Sequence, residues 1–475
     1  MPDRIQLDPT TARWIPWVIA IAFFMQSLDG TILNTALPSM ARSLDEDPLR
    51  MQGVIIAYML TVALLIPASG WIADRFGTKR IFFSAILLFS VGSLLCAIAN
   101  TLPMLVGARV VQGLGGALML PVGRLVVLRA YPRSELVRIM GFITIPALLG
   151  PLLGPTVGGW LVEILSWHWI FLLNLPVGAL GCWAVWKLIP DLRGSERTTF
   201  DGPGFLLFGA AMVLITIAME GLGELHLPHL RVMLLLFAGL ACLAAYWLRA
   251  GRDPEPLFSP SLFRVRTFAI GILGNLFARL GSGALPFLVP LLLQVALGYS
   301  PVEAGMSMIP LAAAAMLAKW IARPLIERLG YRMVLTGNTL LLGLGLASLA
   351  LVDAQTPYPL LLAHLGVLGA INSLQFTAMN TVTLIDLDDA SASSGNSLLS
   401  VVAQLSLSLG VACAGALLGG FTAAGSGDAV ETTLEAFQLT FVTIGVMAML
   451  AAAIFLQLSP TDGRRARRPE QDIEA

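Results

Sequence analysis

The chain has 475 residues, of which 57% are hydrophobic and 12% charged, with equal numbers of basic and acidic side chains and a mean hydropathy of +0.82. Soluble domains carry roughly 25% charged residues, which excludes a water-soluble globular fold. Zero net charge, with no basic tract before the C-terminal tail, excludes a nucleic-acid-binding surface.

Runs of about 20 apolar residues cross a ~30 Å hydrocarbon core as helices. In chain order, the apolar runs between polar or turn-rich breaks predict fourteen spans. They lie at 14–37, 51–71, 81–99, 104–127, 138–162, 166–188, 203–222, 230–249, 268–295, 303–325, 333–352, 358–382, 396–421 and 436–458. The chain therefore reads as an all-α polytopic membrane protein whose one obligate partner is the lipid bilayer. Span 1 follows a short polar leader without a small-residue cleavage site, so it reads as a retained helix and not a signal peptide. Cys96, Cys182, Cys242 and Cys413 all fall in spans and show neither a disulfide framework nor metal-ligand spacing.

Orientation follows from the basic residues, because cytoplasmic loops retain Lys and Arg. Of the 29 Lys and Arg residues, 21 fall in the termini or in the loops on the same side as the termini, and three (Arg42, Arg50 and Arg231) in the opposite loops. Both termini are expected in the cytoplasm. The remaining five, Arg109, Arg124, Arg279, Lys319 and Arg323, lie within spans.

A repeat is also visible. GWIADRFGTKR (70–80) follows span 2 and RPLIERLGYR (323–332) follows span 10, aligning Asp74 with Glu327, Arg75 with Arg328 and Gly77 with Gly330. Each precedes the third helix of a six-helix set, the arrangement of secondary transporters built from repeated halves. The expected organisation is an N-terminal segment 1–13, a six-helix bundle 14–190, a charged and Pro-rich linker carrying two extra spans at 191–266, a second bundle 267–459 and a basic tail 460–475.

Five further features carry chemistry. Asp29, in LDGTILNTALP (28–38), is the only acid well inside a span; it lies fifteen residues beyond Trp14, or ~22 Å at ~1.5 Å per residue, at or just beyond the bilayer midplane. Arg109, Gln112, Gly113 and Gly116, in LVGARVVQGLGGA (105–117), share one helix face. A buried Arg costs several kcal/mol unless paired, so Arg109 faces a partner or a water-filled cavity. In GPLLGPTVGG (150–159), Gly150, Gly154 and Gly158 recur every fourth residue, with Gly159 beside them, and Pro151 and Pro155 weaken the helix. In the first loop, Asp74 can face a helix N-terminus and nearby Arg75, Lys79 and Arg80, with Gly70 and Gly77 flanking; Glu327 and Arg328 stand in the second loop. Each has a plainer reading too: an orientation-fixing loop, ordinary close packing, a structural ion pair.

These motifs, with WHWIFLLNLPVG (167–178), occur in an order that resembles the major facilitator superfamily and, within it, the fourteen-span drug:proton antiporters. The resemblance covers nearly the whole chain. It implies the major facilitator fold, two six-helix bundles plus two inserted helices, and export of small molecules from the cytoplasm in exchange for protons, of multidrug or xenobiotic type. It implies proton coupling at Asp29 and Arg109, a leak-sealing face at the span-5 glycines, a cytoplasmic gate at the two loops, a bacterial cytoplasmic membrane location and function as a monomer. The chain departs from the pattern where His168 replaces a usual Arg and where Gln404 lacks an adjacent Arg.

Candidate cavity residues are Gln26, Asn34, Gln112, Arg124, Asn275, Arg279, Lys319 and Gln375. Arg124 lies fifteen steps beyond Arg109 on the same helix, within roughly 60° of its direction. Arg124 and Lys319 are additions to the family pattern. Cations in excess at membrane depth suggest a second reading, export of an anionic metabolite such as an organic acid or its metal complex; Lys319 snorkelling to the interface is the plainer account. The remaining Asn and Gln residues of the spans, and His364, read as helix-to-helix contacts. No GxxxxGK[ST] loop, HExxH helix or GxSxG elbow is present, so neither ATP nor a bound cofactor is expected to drive the protein. A membrane enzyme or receptor is the alternative of a different class.

Overall fold

A computed structural model describes residues 8–192, 199–223, 228–424, 429–460 and 462. Arg4, Arg197, the first two residues of HLPH (226–229) and the RRARR tail lie outside the described residues. Among the described residues fourteen helices are long and apolar enough to cross a membrane. They are α1 (Thr11–Thr35), α2 (Pro48–Phe76), α3 (Thr78–Ala97), α4 (Leu102–Ala130), α5 (Arg138–Ile164), α6 (His168–Leu188) and α7 (Gly202–Gly221). The chain continues through α8 (His229–Ala250), α9 (Arg266–Ala296), α10 (Pro301–Leu329), α11 (Tyr331–Leu351), α12 (Tyr358–Leu384), α13 (Ser391–Ala424) and α14 (Thr432–Phe455). Every expected span is present, and most ends fall within a few residues of the sequence reading.

The chain forms two compact units. One comprises Met1–Val213 and Val289–Ile309, the other Leu214–Leu288 and Pro310–Ala475. In the first unit α1 runs along α5, α4 packs on both α2 and α3, and α6 covers α3. Its core includes Phe23, Phe82 and Phe89, all buried. In the second unit α11 packs on α12 and α14, with Phe455 and Leu335 buried between elements. For the first unit, the end carrying the α2–α3 turn is called the Gly77 end below, and the other the far end.

Proline chemistry explains how α1 and α5 join. Pro151 has no N–H for the Ala147 carbonyl four residues back, and the Ser27 hydroxyl donates to that carbonyl at 2.6 Å. Polar backbone freed in an apolar medium must find a partner, and here α1 supplies it.

Several spans are irregular where sequence reasoning drew continuous helices, among them α6, which breaks at Leu173, and α11, which ends in a 3-10 turn at Leu349–Leu351. The end of α1 tightens into a 3-10 turn at Leu33–Thr35 before a further helix, Leu37–Leu44. The end of α9 widens into a π-turn at Leu292–Ala296. α10 breaks at Met308, between Pro301–Ser307 and Ile309–Leu329. Pro310 accounts for the last: it cannot donate to the Met306 carbonyl, and its ring clashes there. The π-turn and the 3-10 turn meet, with Gln294 Nε2 donating to the Thr35 carbonyl at 3.0 Å.

Candidate functional site

Five helices of the first unit converge on Asp29. From α4, Arg109 Nη1 donates to Asp29 Oδ2 at 2.7 Å, and Gln112 Nε2 donates to Oδ1 at 2.8 Å. From α6, Asn174 Nδ2 donates to Oδ1 at 2.9 Å. From α3, the Ser93 hydroxyl accepts from Gln112 at 2.8 Å and from Asn174 at 3.1 Å, tying the two amides together. From α2, the Val54 carbonyl accepts from Arg109 Nε at 3.3 Å, and the Tyr58 ring lies 4.2 Å from the guanidinium carbon. Arg109 Nη1 also reaches Gln112 Oε1 at 2.7 Å.

Asp29 and Arg109 are each 1% exposed. A buried pair of opposite charges returns its desolvation cost only when further hydrogen bonds satisfy the remaining groups. That condition is met: the carboxylate accepts from three side chains, and the guanidinium finds a carboxylate, an amide oxygen, a carbonyl and a ring. The pair stores one negative and one positive charge in an enclosed place, so adding a proton to Asp29 would leave Arg109 with neutral partners only.

Asp29 is six residues from the end of α1 and Arg109 seven from the start of α4, so at ~1.5 Å per residue both lie within about 10 Å of the far end. α1 begins at Thr11, three residues before the expected start at Trp14.

The span-5 motif lies beside this network. A Cβ on Gly154 would sit 2.2 Å from Thr31 Oγ1, and one on Gly158 would sit 2.3 Å from the Ile32 carbonyl. Gly150 meets the Ser27 backbone in the same way, while Gly159 faces Pro301 on the start of α10. The helix thus presents two glycine faces, one to α1 and one to 301–307. The Pro155 carbonyl accepts from Thr35 Oγ1 at 3.1 Å.

At the Gly77 end, Asp74 pairs with Arg129 at the foot of α4, with side chains 28% and 22% exposed. This differs from the expected partners. Arg75 stacks over Trp71 at 5.5 Å and Lys79 over Trp186 at 5.5 Å, while Arg80 and Gly70 are exposed. The repeat is conformational: Gly77 has φ +91° and Gly330 φ +80°, which L side chains rarely adopt. Its charges are used differently, since Glu327 pairs along its own helix with Arg323 at 3.1 Å and Arg328 is exposed.

The candidate cavity residues divide between the units. In the first, Gln112 belongs to the Asp29 network, Gln26 Nε2 donates to the Gly116 carbonyl at 2.9 Å, and Asn34 is buried in the 3-10 turn. Arg124 is exposed and not on the buried Arg109 face. In the second, Arg279 is 3% exposed, with Asn275 Oδ1 at 3.0 Å, Asn380 Oδ1 at 3.4 Å and the Phe376 ring at 3.9 Å. Gln375 is apart from it, bonded to Asn338 and Thr339. Lys319 is exposed beside Trp320, which is 84% exposed.

A family model described as Major Facilitator Superfamily matches residues 19–411 and 272–474. The chain belongs to the major facilitator superfamily. Like the other members it is a multi-pass transport protein, and not an enzyme. The chain is 48% identical over 453 residues to a protein of Pectobacterium atrosepticum named "Putative multidrug resistance protein MdtD", covering 95% of this chain and 97% of that one. It is 48% identical over 456 residues to the protein of that name from Salmonella heidelberg, covering 96% of each. Among solved structures, a D-xylose-proton symporter superposes with a TM-score of 0.67 at 16% identity, over 95% of this chain and 99% of that one. That likeness speaks for the superfamily fold alone.

Sequence reasoning missed Ser93, Asn174, Tyr58 and the Val54 carbonyl. Asn174 stood in plain view in WHWIFLLNLPVG, as an amide in the middle of an apolar span.

Proposed function

We propose that the chain is a proton-coupled antiporter that exports small lipophilic molecules from the bacterial cytoplasm by alternating access, in line with the multidrug name of its relatives. The observation that carries the reading is Asp29, a buried carboxylate held by Arg109, Gln112 and Asn174. Protonation of Asp29 removes its charge and releases Arg109, so proton binding and helix rearrangement share one contact. The distribution of Lys and Arg supports a cytoplasmic location for the termini and the Gly77 end, with the far end, near Asp29, on the side that supplies protons. A potential of ~100 mV contributes about 2.3 kcal/mol per proton. No bound cofactor enters this scheme, and one copy of the chain suffices.

The test is efflux of a cationic dye from proteoliposomes with and without an imposed pH gradient. Gradient-dependent dye movement, with counterflow of protons, is expected; dye movement indifferent to the gradient would contradict it. A second reading, export of an anionic metabolite, draws on Arg279, which lies against two amides and a ring. An organic-anion panel in the same vesicles separates the two, and the named relatives favour the first.

A further inference from the structure

A groove of about 460 Å³ runs between α1, α3 and α6 of the first unit, and its lining is apolar. Along α1 it extends from Trp14 to Met25, and along α6 from Val177 to Leu188. Eleven residues of rise give each wall roughly 16 Å, close to the depth of one leaflet of a ~30 Å hydrocarbon core. Gly181 keeps the middle open, since no side chain projects from it into the groove.

The groove has a polar end. Trp14 and Leu188 mark its limit at the Gly77 end, and Arg13 and Lys187 immediately precede them. Both cations are exposed, and neither pairs with a carboxylate among the described residues. Lys187 Nζ lies 5.4 Å from the centre of the Trp183 ring, which also lines the groove. Of the acids at this end, Asp74 is held by Arg129, Asp191 Oδ1 lies against the Gly77 backbone, and Asp8 and Glu135 are exposed, with no ion pair to either cation. Tryptophan beside a basic side chain is the pattern of the headgroup region.

We propose that the groove holds one acyl chain of an anionic phospholipid, with the headgroup phosphate between Arg13 and Lys187. The apolar walls match the chain in chemistry and length, and the two cations, without a carboxylate partner among the described residues, match the charge of the head. A lipid with a zwitterionic head would fill the same walls but gain less from the cations. The assignment does not rest on the proton-coupling reading and can hold or fail without it.

The experiment is native mass spectrometry of the full-length protein released from micelles with phosphatidylglycerol or phosphatidylethanolamine of identical chains. Preferential retention of phosphatidylglycerol is expected. The exposed double variant Arg13→Gln/Lys187→Gln should weaken it by roughly fivefold per cation removed, with a smaller effect on phosphatidylethanolamine. Gly181→Leu, which fills the groove, should weaken both lipids. Equal retention of the two lipids by the unmodified protein would overturn the proposal. So would phosphatidylglycerol retention indifferent to the double variant, which marks chain occupancy without headgroup recognition. Retention indifferent to Gly181→Leu would place the lipid elsewhere and overturn it as well.

Discussion

Asp29 and Arg109, eighty residues apart in sequence, meet at 2.7 Å with each residue 1% exposed. Removing one partner of such a pair leaves a buried charge uncompensated, at a cost of roughly 3–5 kcal/mol, whereas removing both costs far less. Thermal unfolding in detergent should therefore rank Arg109→Gln as less stable than the double variant Asp29→Asn/Arg109→Gln. The opposite order would mean that the charges do not depend on each other.

The glycine faces of α5 make a steric prediction. Gly158→Ala drives a Cβ to 2.3 Å from the Ile32 carbonyl, and overpacking of this kind costs about 1–3 kcal/mol. Gly141, on the same helix, has nothing within 4 Å, so Gly141→Ala should be neutral or gain up to about 1 kcal/mol from helix propensity. Comparing the two unfolding temperatures checks whether the close approach to α1, and not glycine content as such, is what matters.

Asp74 and Arg129 form a part-exposed pair, of the kind worth about 1 kcal/mol or less. Asp74→Asn should barely shift the unfolding temperature. If the pair latches the Gly77 end during transport, the same variant should reduce dye efflux several-fold, and the swap Asp74→Arg/Arg129→Asp should restore part of it. Unchanged efflux in Asp74→Asn would reduce the loop to a static connection.

Tyr131, in the turn after α4, donates to the Ala12 carbonyl at 2.5 Å. Burial, with Glu135 nearby, pushes its hydroxyl up to about 12. The folded value exceeds the unfolded one, so this contribution is complete below about pH 10, fades as pH rises, and is gone above about pH 12. A difference in stability between the parent and Tyr131→Phe that shrinks over that window is the expected result in an alkaline titration.

Much of this was legible in sequence because hydropathy reports membrane depth and helical spacing reports faces. The spans emerged from composition alone, and Arg109 and Gln112 were placed together by their i, i+3 spacing. Asp29 was conspicuous because a carboxylate is expensive at that depth. Ser93 and Asn174 were not, because a single neutral polar residue in a span has no periodic signature and acquires its role only when α3 and α6 pack against α4. The true partner of Asp74 was hidden for the same reason: Arg75, Lys79 and Arg80 are near in sequence, whereas Arg129 is near in space. The break in α10 at Met308 was readable in principle from Pro310, but hydropathy averages over it.

The central claim is that Asp29 carries the coupled proton. Proteoliposomes containing Asp29→Asn, with Asp29→Glu alongside, should be assayed for dye efflux under an imposed pH gradient and for dye exchange with no gradient. Gradient-driven efflux should vanish in Asp29→Asn while exchange persists, and Asp29→Glu should retain part of the coupling with an altered pH profile. Gradient-driven efflux at the parent rate in Asp29→Asn would contradict the account.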